Sequence, residues 1–207
     1  MNTKRLLFFF LLALGALVLS ACGTQPLANN WPGLAADGER AYLSSGSFVY
    51  AVDVTNGREI WRYPAEADNK LIFYATPVLT EDGHLLIGSA GTAHPFVSLD
   101  PETGRENWSE PFMGAKGAWV GSPLVLNEVI YAPNTDGFLY MLDMRGRQIA
   151  DPIELGGALW SAPVTDGSLI YVTSLDHHLH IIDPSNLSLS EPIGLGGAAP
   201  GSPAVGE

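Results

Sequence analysis

The stretch Ala51-Val52-Asp53-Val54-Thr55-Asn56-Gly57-Arg58-Glu59-Ile60-Trp61 decides the fold. It returns as Ser98-Leu99-Asp100-Pro101-Glu102-Thr103-Gly104-Arg105-Glu106-Asn107-Trp108. Shorter echoes follow at Tyr140-Met141-Leu142-Asp143-Met144-Arg145-Gly146 and His180-Ile181-Ile182-Asp183-Pro184. Successive aspartates stand 47, 43 and 40 residues apart. A period of that length belongs to an array of small units, each of which buries its apolar faces against its neighbours.

Every unit has the same internal order. A small residue and a proline lead into an apolar segment at Thr76-Pro77-Val78-Leu79, Ser122-Pro123-Leu124-Val125, Ala162-Pro163-Val164-Thr165 and Ser202-Pro203-Ala204-Val205, with Trp31-Pro32-Gly33-Leu34 as a degenerate first copy. A turn signal comes next: Asp37-Gly38, Asp82-Gly83, Asn127-Glu128 or Asp166-Gly167. Such pairs between apolar runs are strong hairpin cues. A second and a third strand follow, as in Val129-Ile130-Tyr131 and Phe138-Leu139-Tyr140-Met141-Leu142, and a fourth carries the Trp. The 23 glycines and 15 prolines break any helical stripe, and the apolar runs are short and rich in Val, Ile and Tyr. Four antiparallel strands per forty-odd residues predict an all-β chain built as a β-propeller of four-stranded blades. The predicted blades span about 31–64, 73–112, 119–155 and 159–195, with the start of a fifth at 199–207.

Within the repeat, Gly57 and Gly104 supply the positive φ of a tight turn. Asp53 and Asp100, with Asp143 and Asp183 in the later copies, can cap that turn through backbone N–H groups. Trp61 and Trp108 offer flat surfaces to pack between blades, each indole N–H needing one acceptor. These are structural, blade-docking roles. The pattern resembles the PQQ-like, quinoprotein-type propeller repeat, whose docking motif is Ala-x-Asp-x-x-Thr-Gly-x-x-x-Trp. Residues 51–61 depart from it only at Asn56, and residues 98–108 only at Ser98. The third and fourth copies keep the Asp and lose the Trp, which predicts weaker docking there. The resemblance covers 31–207.

The N-terminus supplies an address. Lys4 and Arg5 precede an unbroken apolar run, Leu6 to Leu19, the form of an export signal over residues 1–21. It closes on Leu19-Ser20-Ala21-Cys22, which resembles the lipobox of bacterial lipoproteins. That resemblance implies lipidation of Cys22, the chain's single cysteine, and anchoring to a membrane. The alternative is an ordinary secretory signal cut near Ala21. Gly23 rather than Asp after the cysteine implies the outer membrane in a two-membrane organism; in a one-membrane organism the address is the outer face of the plasma membrane. Residues 22–30 read as the lipidated Cys and a polar tether, and 31–207 as the repeats.

Removing Lys4 and Arg5 with the signal leaves 8 basic against 22 acidic residues, a net charge of −14. Such a balance opposes binding to the phosphate backbone, so no nucleic-acid partner is expected. Asp176, His178 and His180 form the one local group of possible metal ligands. The preferred reading is a blade turn in which Asp176 aligns with Asp136 and His180 takes the place of Tyr140, with no metal. Trp119 and Trp160, four and three residues before their prolines, either line a channel mouth or seal blade contacts.

Quinoprotein dehydrogenases share the repeat, but the vicinal Cys-Cys that many of them carry is missing here, and the loops are short. No catalytic residue and no PQQ or other cofactor is expected. The resemblance extends to the outer-membrane assembly lipoproteins of the BamB type. It implies a non-catalytic, lipid-anchored scaffold in the cell envelope that holds a protein partner. The alternatives are an exported PQQ-dependent dehydrogenase-like protein and a ligand-binding or sensor propeller. Family members close with seven or eight blades, so the chain reads as a fragment. Remaining blades of a longer chain or a second copy would then close the ring; a four-bladed ring closed by residues 201–205 is the further option. As it stands, 201–205 is expected to dangle.

Overall fold

The computed structural model describes residues 33–206. The export signal, Cys22, the tether and Trp31-Pro32 lie outside the described residues. Four antiparallel sheets follow one another along the chain, and no helix occurs among the described residues.

Blade 1 consists of β1 (Gly33–Ala36), β2 (Arg40–Ser45), β3 (Phe48–Asp53) and β4 (Glu59–Tyr63), paired in that order. Blade 2 holds β5 (Val78–Leu79), β6 (Leu85–Gly88) and β7 (Phe96–Leu99). Blade 3 is β8 (Leu124–Leu126), β9 (Val129–Pro133), β10 (Phe138–Asp143) and β11 (Ile153–Glu154). Blade 4 is β12 (Val164–Thr165), β13 (Ile170–Thr173) and β14 (His178–Asp183), with β15 (Ser188–Leu189) and β16 (Ile193–Gly194) both on the outer edge of β14.

Three cores lie between the sheets, and the two-residue period of a strand explains how each is filled. Leu85 and Ile87 join Tyr42, Val49, Ala51 and Trp61 between blades 1 and 2. Leu86, on the opposite face of β6, joins Trp108, Trp119, Ile130 and Tyr140 between blades 2 and 3. Tyr131, Leu139 and Met141 meet Ile170, Val172 and Ile182 between blades 3 and 4. An inner blade is thus covered on both faces, and all four residues of β6 are buried. Among the described residues only one face of blade 1 is covered, and β2 runs from half-buried at its start to alternating buried and half-buried.

Two features depart from the sequence reading. Blade 2 has no regular fourth strand: its edge is reduced to isolated bridges, Leu99 with Glu106 and Phe96 with Phe112. Pro111, which has no N–H, sits beside the second bridge and cannot extend the ladder. Residues 201–205 form no strand, and only the first two of them are tied to blade 4. The Gly201 carbonyl accepts from Thr173 Oγ1 at 2.8 Å, and Ser202 Oγ accepts from the Ala162 N–H at 2.8 Å. They do not replace the first strand of blade 1 either, since β1 pairs with β2 along its whole length. The array is open.

Candidate functional site: the blade-docking staples and an inter-blade groove

Each repeat turn is built around its aspartate. Asp53 Oδ1 accepts from the Thr55 N–H at 2.7 Å and from its hydroxyl, and Oδ2 from Asn56 Nδ2 at 2.9 Å. Asp100 accepts from the N–H groups of Glu102 and Thr103 at 3.0 and 2.7 Å and from Thr103 Oγ1 at 2.8 Å. Asp183 holds Ser185 through its N–H and hydroxyl, and Asp143 accepts from the Arg147 N–H and guanidinium. These bonds favour the charged carboxylate and hold it below its ordinary range. The Thr55 and Thr103 hydroxyls contribute most at Asp53 and Asp100. At Asp143 burial pushes the other way and is outweighed by Arg147.

The turn of one blade receives the tryptophan of the blade before it. Trp61 Nε1 donates to the Pro101 carbonyl at 3.0 Å, and Trp108 Nε1 to the Met144 carbonyl at 2.8 Å. Both acceptors directly follow the turn aspartate. Each indole ring lies on the turn glycine. A Cβ on Gly104 would sit 2.6 Å from Trp61 Cδ2, and one on Gly146 would sit 2.5 Å from Trp108 Cε3. The glycines therefore serve twice, through φ values of +69° and +77° and as flat platforms. Gly57 has the same conformation, φ +70°, with open space above it. The platform role is not visible in the sequence, where the glycine already has a sufficient reason in its turn.

The third interface is built from a different pair. Asn107 N–H bonds Ser98 O and Ile149 N–H bonds Met141 O, so Ala150 occupies the position of Trp108. Leu187 N–H bonds Asp183 O as Gly104 N–H bonds Asp100 O, so Leu187, at φ +59°, occupies the glycine position. Both residues pack against the core between blades 3 and 4. A small residue at the tryptophan position and a large one at the glycine position thus invert the sizes used at the first two interfaces.

Trp119 is a core residue with no exposure, and its Nε1 donates to the His94 carbonyl at 3.0 Å. Phe96 and Tyr140 meet it edge-on, with ring centroids 5.1 and 5.5 Å away. It lines no channel mouth. Trp160 is 38% exposed.

Asp176, His178 and His180 do come together. His180 Nε2 and His178 Nδ1 stand 3.1 and 3.3 Å from the same oxygen, Asp176 Oδ2, while Oδ1 accepts from the His178 N–H. Asp136 is arranged likewise one blade earlier: Oδ2 accepts from the Tyr140 hydroxyl at 2.7 Å, and Oδ1 from the Phe138 N–H. Among the described residues no group of three ligands has the arrangement of a metal site.

A groove of about 550 Å³ lies between blades 2 and 3, lined by Val78, Leu79, Leu124, Val125 and Met144 and rimmed by Glu81, Asp82 and Glu128. Met144 ties it to the docking system, since its carbonyl takes the Trp108 N–H.

Residues 44–149, about half of the chain, match the family model described as outer membrane protein assembly factor BamB. The chain belongs to the BamB family. No curated protein matches it. Among solved structures, it resembles BamB from Moraxella catarrhalis with a TM-score of 0.57 and 20% identity, over 83% of this chain and 66% of that one. It also resembles the computationally designed Ika8 protein, with a TM-score of 0.65 and 12% identity, over 81% of this chain and 50% of the other. A protein of unknown function from Bacteroides caccae gives a TM-score of 0.62 and 12% identity, covering 79% and 60% of the two chains. At these identities the likeness is one of fold. The chain spans about half to two thirds of the length of these three proteins.

Proposed function

We propose that this BamB-family propeller is a non-catalytic scaffold, lipid-anchored through Cys22 in the bacterial cell envelope, where it holds a protein partner. The observation that carries the reading is the use made of the groups that recur in the repeat. The turn aspartates spend their oxygens on backbone N–H groups and neighbouring side chains, and Trp61 and Trp108 are consumed in blade docking. Chemistry is thereby directed to stacking the blades, and partner binding is left to the loops and grooves. Membership of a family described as an assembly factor supports the same reading. In a two-membrane organism the address is the outer membrane. The ring is completed by further blades of a longer chain or by a second copy.

Two measurements on the full chain test the two halves of this proposal. Palmitate labelling in cells is expected to mark the wild-type chain and not Cys22→Ser; equal labelling of both would overturn the anchor. Calorimetric titration with PQQ and Ca²⁺ is expected to give no saturable heat, whereas a saturable one-site isotherm would overturn the non-catalytic reading.

A further inference from the structure

We infer that the groove between blades 2 and 3 docks an extended segment of a partner protein in which apolar and basic side chains alternate, an inference that rests on the scaffold reading. Its apolar floor is Val78 of β5, Val125 of β8 and Met144, which pack against the core between blades 2 and 3, while Leu79 and Leu124 border it and turn their side chains to the flanking cores. Among the described residues β5 pairs only with β6 and β8 only with β9, and strand edges of this kind take up an added segment through main-chain hydrogen bonds. A volume of about 550 Å³ holds a few side chains.

The charge on the rim selects the occupant. Glu81, Asp82 and Glu128 are exposed above the apolar floor, and no lining residue is positively charged. An apolar segment with flanking Lys or Arg gains burial and attraction together, while an acidic segment is repelled.

Glu128 holds its place against the preference of its turn. Leu126 pairs with Val129, so Asn127 and Glu128 make a two-residue hairpin turn, with φ of +52° and +62°. Asn-Gly is the favoured pair for that geometry, and a residue with a Cβ is disfavoured there. Blades 1, 2 and 4 have Gly38, Gly83 and Gly167 in the corresponding turns. The chain keeps a carboxylate over the groove where glycine would relax the backbone. Glu128→Gly therefore separates the two roles, because it relieves the turn and removes a rim charge.

The test is fluorescence anisotropy of a labelled short peptide alternating Lys with Leu and Val, titrated with the full chain. Saturable binding is expected, weakened about fivefold or more by Glu128→Gly and by Glu81→Lys, with Tm not lowered in Glu128→Gly. Glu191→Lys, which changes an exposed charge outside the groove, is expected to bind as wild type. A peptide with Glu in place of Lys should not bind. Absence of saturable binding, equal binding by Glu128→Gly and wild type, equal weakening by Glu191→Lys, or equal binding of the acidic peptide would each overturn the inference. Such a failure beside successful capture of an envelope partner would remove the groove and leave the scaffold standing; loss of both would remove the scaffold.

Discussion

The indole of Trp61 rests on the backbone of Gly104 so closely that a methyl group on that glycine would come within 2.6 Å of the ring, while its N–H is taken by the Pro101 carbonyl three residues earlier in the same turn. One residue of blade 1 thus reads both the shape and the polarity of the blade 2 turn. Trp108 reads the blade 3 turn in the same way, through Gly146 and Met144.

Comparison of Gly104→Ala with Gly57→Ala isolates that contact. Both substitutions force a Cβ into positive φ, at a cost of about 1–2 kcal/mol. Only Gly104 has an indole above it. Overpacking adds about 1–3 kcal/mol, so urea unfolding should show Gly104→Ala the less stable by that difference.

The exchanged pair at the third interface should behave as a unit. Ala150→Trp alone overpacks the space already occupied by Leu187 and lowers stability. With Leu187→Gly in place the new indole gains a platform and the Pro184 carbonyl, which holds the same turn position as Pro101 and Met144. A double-mutant cycle in urea is expected to show a favourable coupling of about 1 kcal/mol or more.

Acid should loosen the turns. Asp53, Asp100, Asp143 and Asp183 all have folded pKa values below the ordinary 3.8. A depressed carboxylate stabilises the fold at pH above its unfolded pKa, and the contribution disappears as pH falls through the folded value. Urea midpoints should therefore be flat near neutrality and fall below about pH 4, with a shallower fall in Asp100→Asn.

Alkali acts with the opposite sign. Burial, and then the hydrogen bond to Asp37, push the Tyr42 phenol up to about 12. Its contribution is full below the ordinary value of 10.0 and is lost as pH rises through about 12. Burial also raises Tyr63 and Tyr140, so ultraviolet titration should find several tyrosines fewer ionising near pH 10 in wild type than in a urea-unfolded sample, and that deficit should shrink by one in Tyr42→Phe.

Trp119→Ala removes a fully buried indole and should cost about 3–5 kcal/mol. Trp160→Ala should cost clearly less than Trp119→Ala, since Trp160 is 38% exposed.

The repeat was legible because its period, Asp-Gly turns and alternating apolar runs all derive from local rules. What stayed hidden depends on register between blades. Trp119 and Trp160 stand at neighbouring phases of the approach to their prolines, and only strand alignment separates the core position from the exposed one. Loss of the Trp after Asp143 read as weakened docking, because a single residue is visible in the motif while its exchange partner, Leu187, lies one blade away. Asn127-Glu128 read as a turn signal alone; the groove beneath Glu128 exists only once blade 2 is packed beside it. The His178–Asp176–His180 group was legible as a cluster, and its position as the counterpart of Asp136 and Tyr140 follows from the shared place in the strand.

The most direct measurement is affinity capture of the tagged full chain from cross-linked, detergent-solubilised envelope membranes, with the bound proteins quantified by mass spectrometry against Cys22→Ser. The scaffold account predicts an envelope membrane protein recovered in near-stoichiometric amount with the wild-type chain and depleted with Cys22→Ser. Recovery of the bait alone from both, at the same cross-linker dose, would contradict it.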